Sequence, residues 1–111
     1  MDRSTISKAL HQLEDLIDIL DNAYWESSCI SHKDHFYDLI KAYQLEISEL
    51  SKLSVDDHYM AYEPITIQVK NTLAKLKIIQ SSIESWVPRF HTADQLSRIM
   101  PSILKLLTPE P

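Results

Sequence analysis

TISKALHQLEDLIDILDNAY, residues 5–24, places Ile6, Leu10, Leu13, Ile17, Leu20 and Tyr24 at spacings of 4, 3, 4, 3 and 4. That is the repeat of one face of an α-helix, where side chains three and four positions apart lie one above another. Ala9, Leu16 and Ala23 widen the stripe, and Glu14, Asp15, Asp18 and Asp21 fall on the other side. An apolar arc close to half the helix is wider than one neighbour buries, so this helix is expected to touch more than one. Ser4 or Thr5 supplies the oxygen that caps its first turn.

Working outward, Trp25-Glu26-Ser27-Ser28-Cys29-Ile30 breaks the period and reads as a connection. Ser31-His32-Lys33-Asp34 then has the form of a capping box, in which the serine oxygen accepts a free amide and the carboxylate reaches back. The second helix has the seam Phe36, Ile40, Tyr43, Ile47 and Leu50, with Leu39 and Leu53 alongside, and ends near residue 53. Ser54-Val55-Asp56-Asp57 is a further start signal, for a short helical turn within 55–61. Pro64 suits a first helical turn because its missing N–H would be unpaired there anyway, so a third helix is expected from Pro64. Its seam is Ile65, Val69, Thr72, Leu76, Ile79, Ile83 and Trp86, and Pro88 ends it.

Thr92-Ala93-Asp94-Gln95 repeats the capping-box form, and Leu96, Ile99, Met100, Ile103, Leu104 and Leu107 follow on one side. Pro101 inside that pattern predicts a kink or two short helices end to end. Residues 108–111, with two prolines, cannot continue a helix and read as a frayed tail. The expected fold is all-α: an antiparallel helical bundle of three long helices plus a shorter, kinked C-terminal helix, one domain over residues 1–107. In layout alone, long helices followed by a mobile C-terminal one, it resembles the small helical export chaperones of bacterial flagellar and type III systems. No residue is carried over from that likeness.

Composition narrows the function classes. The 111 residues include 44% apolar side chains, enough for a core without disulfides or metals. They include no glycine, where average usage is about 7%. Phosphate-cradling loops, dinucleotide fingerprints and strained nucleophile elbows need glycine for positive φ or close backbone approach, so those sites are excluded. The net charge of −5 disfavours attachment to phosphate backbones, and nucleic acid is not an expected partner. The acid is uneven: residues 1–57 carry twelve acidic and five basic side chains, residues 58–111 four and six. No apolar run approaches the roughly 20 residues that cross a bilayer. The N-terminal segment lacks the apolar core of a secretion signal. The single cysteine, Cys29, forms no internal disulfide, and a cytoplasmic location is expected.

Candidate chemistry is sparse. His32 and His35 stand one helical turn apart, but a zinc site needs three or four ligands, and the HExxH pattern is absent. A solvated first turn explains them better. Asp56-Asp57-His58 and His11 read as polar surface. Cys29, just before the second helix, would be reactive only if a cation or helix N-terminus lowered its pKa. The aromatics at helical seams and ends read as core or end-plug residues.

The third helix carries an irregularity. Ile67, Ala74 and Ile78 form a second, narrow stripe almost opposite its main seam, flanked by Lys70, Lys75 and Lys77. A bundle helix buries one face, so apolar residues on the other need a further partner, a covering segment of the same chain, or water. The lysines could pair with the first helix's acidic face, within the molecule or in a second copy. The C-terminal face of Leu96, Met100, Ile103 and Leu107 is a second candidate, if that helix packs loosely and a partner helix displaces it. The expected function is thus a non-enzymatic protein-interaction module, an adaptor, chaperone or regulator, with a possible homodimer through the Ile67/Ala74/Ile78 stripe and no cofactor. The alternatives are a structural subunit of a helical assembly and a metal-binding bundle using His32 and His35.

Overall fold

Thr5 opens the first helix: its side-chain oxygen accepts the Lys8 N–H at 3.2 Å, satisfying one of the amides a helix leaves free at its start. The computed structural model describes residues 4–108. Its elements are α1 (Ile6–Glu26), α2 (Ile30–Ser51), a 3-10 turn (Asp56–Tyr59), α3 (Ile67–Lys70), α4 (Leu73–Trp86) and α5 (Phe90–Leu107). The described residues are thus all-helical, without a strand; the only sheet-like feature is an isolated bridge between Thr5 and Ala61. Around it Ile6 N–H donates to Met60 O at 2.9 Å and Tyr62 N–H to Ser4 O at 2.8 Å, which ties the start of α1 to the chain beyond the 3-10 turn. The Pro109–Pro111 part of the expected tail, and residues 1–3, lie outside the described residues.

α1 buries Ile6, Ala9, Leu13, Leu16, Leu20 and Ala23, with Leu10, Ile17 and Tyr24 packed at the flanks. The wide arc has the expected consequence, since α1 packs against both α2 and α5. Their shared core also takes Phe36, Leu39, Tyr43 and Leu50 from α2, Leu76, Ile79 and Ile83 from α4, and Leu96, Met100, Ile103 and Leu107 from α5.

Several boundaries differ from expectation, each for a local reason. Trp25 and Glu26 continue α1, so the first connection is only Ser27-Ser28-Cys29. Ser27 Oγ accepts the Cys29 N–H at 3.2 Å, and Lys33 Nζ donates to Tyr24 O at 2.8 Å. Lys33 thereby puts a cation at the carbonyl end of α1, where the helix dipole favours one. α2 starts at Ile30 with Cys29 at its cap, so the Ser31–Asp34 box is not the cap that is used.

The third long helix is interrupted. Thr66, not the stretch at Pro64, caps α3 by accepting the Val69 N–H at 3.2 Å. Four residues later the helix stops, because Thr72 directs both its N–H (3.1 Å) and its hydroxyl (2.6 Å) to Val69 O. This side-chain competition for backbone acceptors is typical of threonine. α4 then runs from Leu73 with a further non-helical residue at Ser82 (φ −128°, ψ 16°).

The C-terminal helix shows the reverse. α5 begins at Phe90, two residues ahead of the predicted cap, and Thr92 instead lies buried, donating to Glu26 Oε2 at 2.8 Å. It continues through Pro101 as one element of 18 residues, longer than the 14 of α4, so it is not the shorter helix of the bundle. Pro101 and Ser97 are both exposed, and water can serve the Ser97 carbonyl that the missing N–H leaves free. No described residue has positive φ, so every turn is made in regions open to non-glycine residues.

Candidate functional site

The α3–α4 stripe faces outward. Ile67 is 67% exposed and Ile78 48%, with Ala74 exposed between them. Because the chain breaks at Asn71 and Thr72, the stripe spans two helices rather than one. Neither α5 nor the 55–62 segment covers it.

Beside it lies a groove of about 480 Å³ between α2 and the α3–α4 break. Ala42 and Leu45 of α2 and Gln68 and Asn71 of the other wall line it, and Lys75 Nζ bridges the gap to Asp38 Oδ2 at 3.2 Å. Lys75 therefore pairs with α2, not with the acidic face of α1. Lys70 and Lys77 are exposed and have no partner among the described residues.

Leu96, Met100, Ile103 and Leu107 are placed otherwise. All four are at most 1% exposed and belong to the central core. The structure does not bring them together with Ile67, Ala74 and Ile78 on one surface. A partner could reach them only by removing α5 from α1 and α4.

His32 and His35 meet Trp86 rather than a third ligand. The His32 ring stacks on the indole at 4.0 Å between centroids, His35 meets it edge-on at 5.0 Å, and Phe36 closes a third side at 6.1 Å. His35 Nε2 also lies 3.3 Å from Lys75 O. The pair, expected in a solvated turn, thus fastens the end of α4 to the start of α2. No group of three or more His, Cys, Asp or Glu side chains suited to a metal occurs among the described residues. At Cys29 the backbone N–H of His32, helped by the Ser31 amide and hydroxyl, outweighs burial and holds the half-buried thiol below its usual pKa.

Two features escaped the sequence reading. Glu46, on the buried face of α2, is wholly enclosed and accepts three hydrogen bonds: Tyr62 Oη at 2.6 Å, Ile65 N–H at 2.9 Å and Thr66 N–H at 2.9 Å. Those donors lie 16 to 20 positions away, beyond any local pattern. The second is at the end of the molecule where α1 stops and α5 starts, joined by the Glu26–Thr92 bond. There Trp25, Ile30 and Phe90 stand 71%, 76% and 84% exposed. Trp25 was visible only as an aromatic at a helix end, which ordinarily signals a plug. No helix among the described residues is long and apolar enough to cross a membrane.

No protein-family model, curated protein or solved structure matches the chain.

Proposed function

We propose that this chain is a non-enzymatic, cytoplasmic protein-interaction module that engages a polypeptide partner through the exposed α3–α4 stripe. The observation that carries the reading is the placement of Ile67, Ala74 and Ile78. They stand outside the core that Leu76, Ile79 and Ile83 of the same segment help to fill, and the fold leaves about half or more of the two isoleucines in water. Exposed apolar side chains aligned along one face and flanked by lysines are the chemistry of a binding face. The scaffold reading is an antiparallel bundle, supported by the three-residue connections Ser27–Cys29 and Val87–Arg89, a length that suits antiparallel neighbours.

The test is affinity capture with the tagged chain and its Ile78→Glu variant side by side. A polypeptide held by the wild type and lost from the variant is the expected result. Identical sets on both, or nothing on either, overturns the reading.

A further inference from the structure

α1 turns Glu14, Asp15, Asp18 and Asp21 to solvent, and none of the four has an ion-pair or hydrogen-bond partner among the described residues. Asp15 and Asp18 form one wall of a groove of about 600 Å³ between α1 and α5, with Ile19 and Ile99 as its apolar side chains. Gln12 and Gln95 also line it, and the buried carboxamide oxygen of each lacks a hydrogen-bond partner. The one cation of the lining, Arg98, is held by Asp94 at 2.8 Å. The groove thus offers negative charge and a small apolar floor. That is a receptor for a helical segment that is both basic and apolar.

The same chain presents such a segment. Ile67, Ala74 and Ile78 run along α3–α4 with the unpaired Lys70 and Lys77 beside them. Within one copy α1 is not among the main neighbours of α3 or α4: α1 packs on α2, α5 and the 3-10 turn, α3 on α2, and α4 on α2 and α5. We propose that the α1–α5 groove receives the α3–α4 stripe of a second copy of this chain. Lys70 and Lys77 answer Asp15 and Asp18, while the isoleucines meet Ile19 and Ile99. The assignment rests on the stripe being the binding face and supplies its partner. The contact is heterologous, stripe into groove, so each copy keeps one unused surface and assembly continues past a dimer unless a ring closes. Exposed ion pairs set orientation and are screened over about 8 Å at physiological ionic strength, so association weakens with salt.

Sedimentation across a dilution series, at low and high salt, tests this with two variants at exposed positions. The groove variant is Asp15→Lys with Asp18→Lys; the stripe variant is Ile67→Ser with Ile78→Ser. The wild type is expected to grow beyond dimer mass with concentration and to fall back toward monomer in salt. Each variant alone should remain monomeric with unchanged helicity. Their mixture should form a 1:1 dimer that grows no further, since only one intact stripe and one intact groove remain. A monomeric wild type at every concentration overturns the proposal, as does a dimer that survives the groove variant, the mark of stripe-on-stripe pairing. In either case a foreign polypeptide lost from Ile78→Glu in the capture experiment would leave the interaction reading standing.

Discussion

The Tyr62 phenol donates to the Glu46 carboxylate at 2.6 Å in a site from which water is excluded on both sides. The carboxylate also takes the backbone amides of Ile65 and Thr66, so one side chain of α2 organises the chain that leads into α3. Those amides precede a helix and have no carbonyl of their own to meet. Glu46 thus anchors to α2 the two residues that precede α3, including its capping Thr66.

Replacing Glu46 by Gln keeps the shape but sets an NH₂ group against donors. A buried donor left without an acceptor costs about 1–3 kcal/mol. Glu46→Gln is expected to lower stability by roughly 3 kcal/mol in urea unfolding, and Tyr62→Phe, which removes one bond and leaves two, by about 1.5 kcal/mol. A Glu46→Gln loss no larger than that of Tyr62→Phe would mean that the amide bonds carry little.

Tyr43 is the opposite case, a buried phenol whose oxygen finds no hydrogen-bond partner; the neighbouring Thr72 hydroxyl sends its proton to Val69 O. Burial pushes its pKa well above the ordinary value of 10.0. Tyr43→Phe is expected to be neutral or stabilising by up to about 1 kcal/mol near pH 7, because it removes a desolvated polar atom. Below the ordinary phenol pKa both the folded and the unfolded chain hold the proton, and Tyr43 adds no pH dependence. Above it the unfolded chain releases a proton that the folded chain keeps, so stability falls by up to about 1.4 kcal/mol per pH unit. The variant's stability should decline less steeply in that range. Parallel alkaline profiles for the two proteins would contradict the burial of the phenol.

These two residues mark the limit of what periodicity reveals. α1, the second seam and the 3-10 turn were legible because burial on a helix follows its repeat, and Ile67, Ala74 and Ile78 were legible as residues off that repeat. Glu46 was not, since its three donors come from a distant segment and a carboxylate on a seam looks like an interruption. The break at Asn71 and Thr72 was hidden for a related reason: Thr72 fits the apolar spacing, while its hydroxyl bonds the backbone. Proline misled in the other direction: Pro101 removes one backbone hydrogen bond, yet α5 runs on through it, with Ser97 and Pro101 on the exposed face. Leu96, Met100, Ile103 and Leu107, a candidate binding face only if α5 is displaced, are buried in the core that α1, α4 and α5 share.

At Cys29 the prediction concerns rate. The His32 amide and the Ser31 groups favour the thiolate in the folded chain. The pH profile of alkylation by iodoacetamide should therefore have a lower midpoint for the native protein than for the same protein in urea. Ser31→Ala, which removes the hydroxyl but keeps the amides, should raise the native midpoint only slightly. Coincident native and urea profiles would show that the turn does not stabilise the thiolate.

Ile78 and Ile79 are neighbours in sequence separated by about 100° around α4. Ile79 is wholly buried and Ile78 48% exposed. Truncating a buried isoleucine removes transfer energy and leaves a cavity, so Ile79→Ala is expected to cost about 2–5 kcal/mol. Ile78→Ala has neither penalty and should change stability by less than about 0.5 kcal/mol. The contrast, measured in one urea series, fixes which face of α4 belongs to the core. It also governs the use of Ile78→Glu in the capture experiment, since a lost partner speaks for binding only if the variant remains as folded as the wild type. Equal losses at the two positions would mean that Ile78 is covered in the monomer, and the case for the stripe as a binding face would fall with that result.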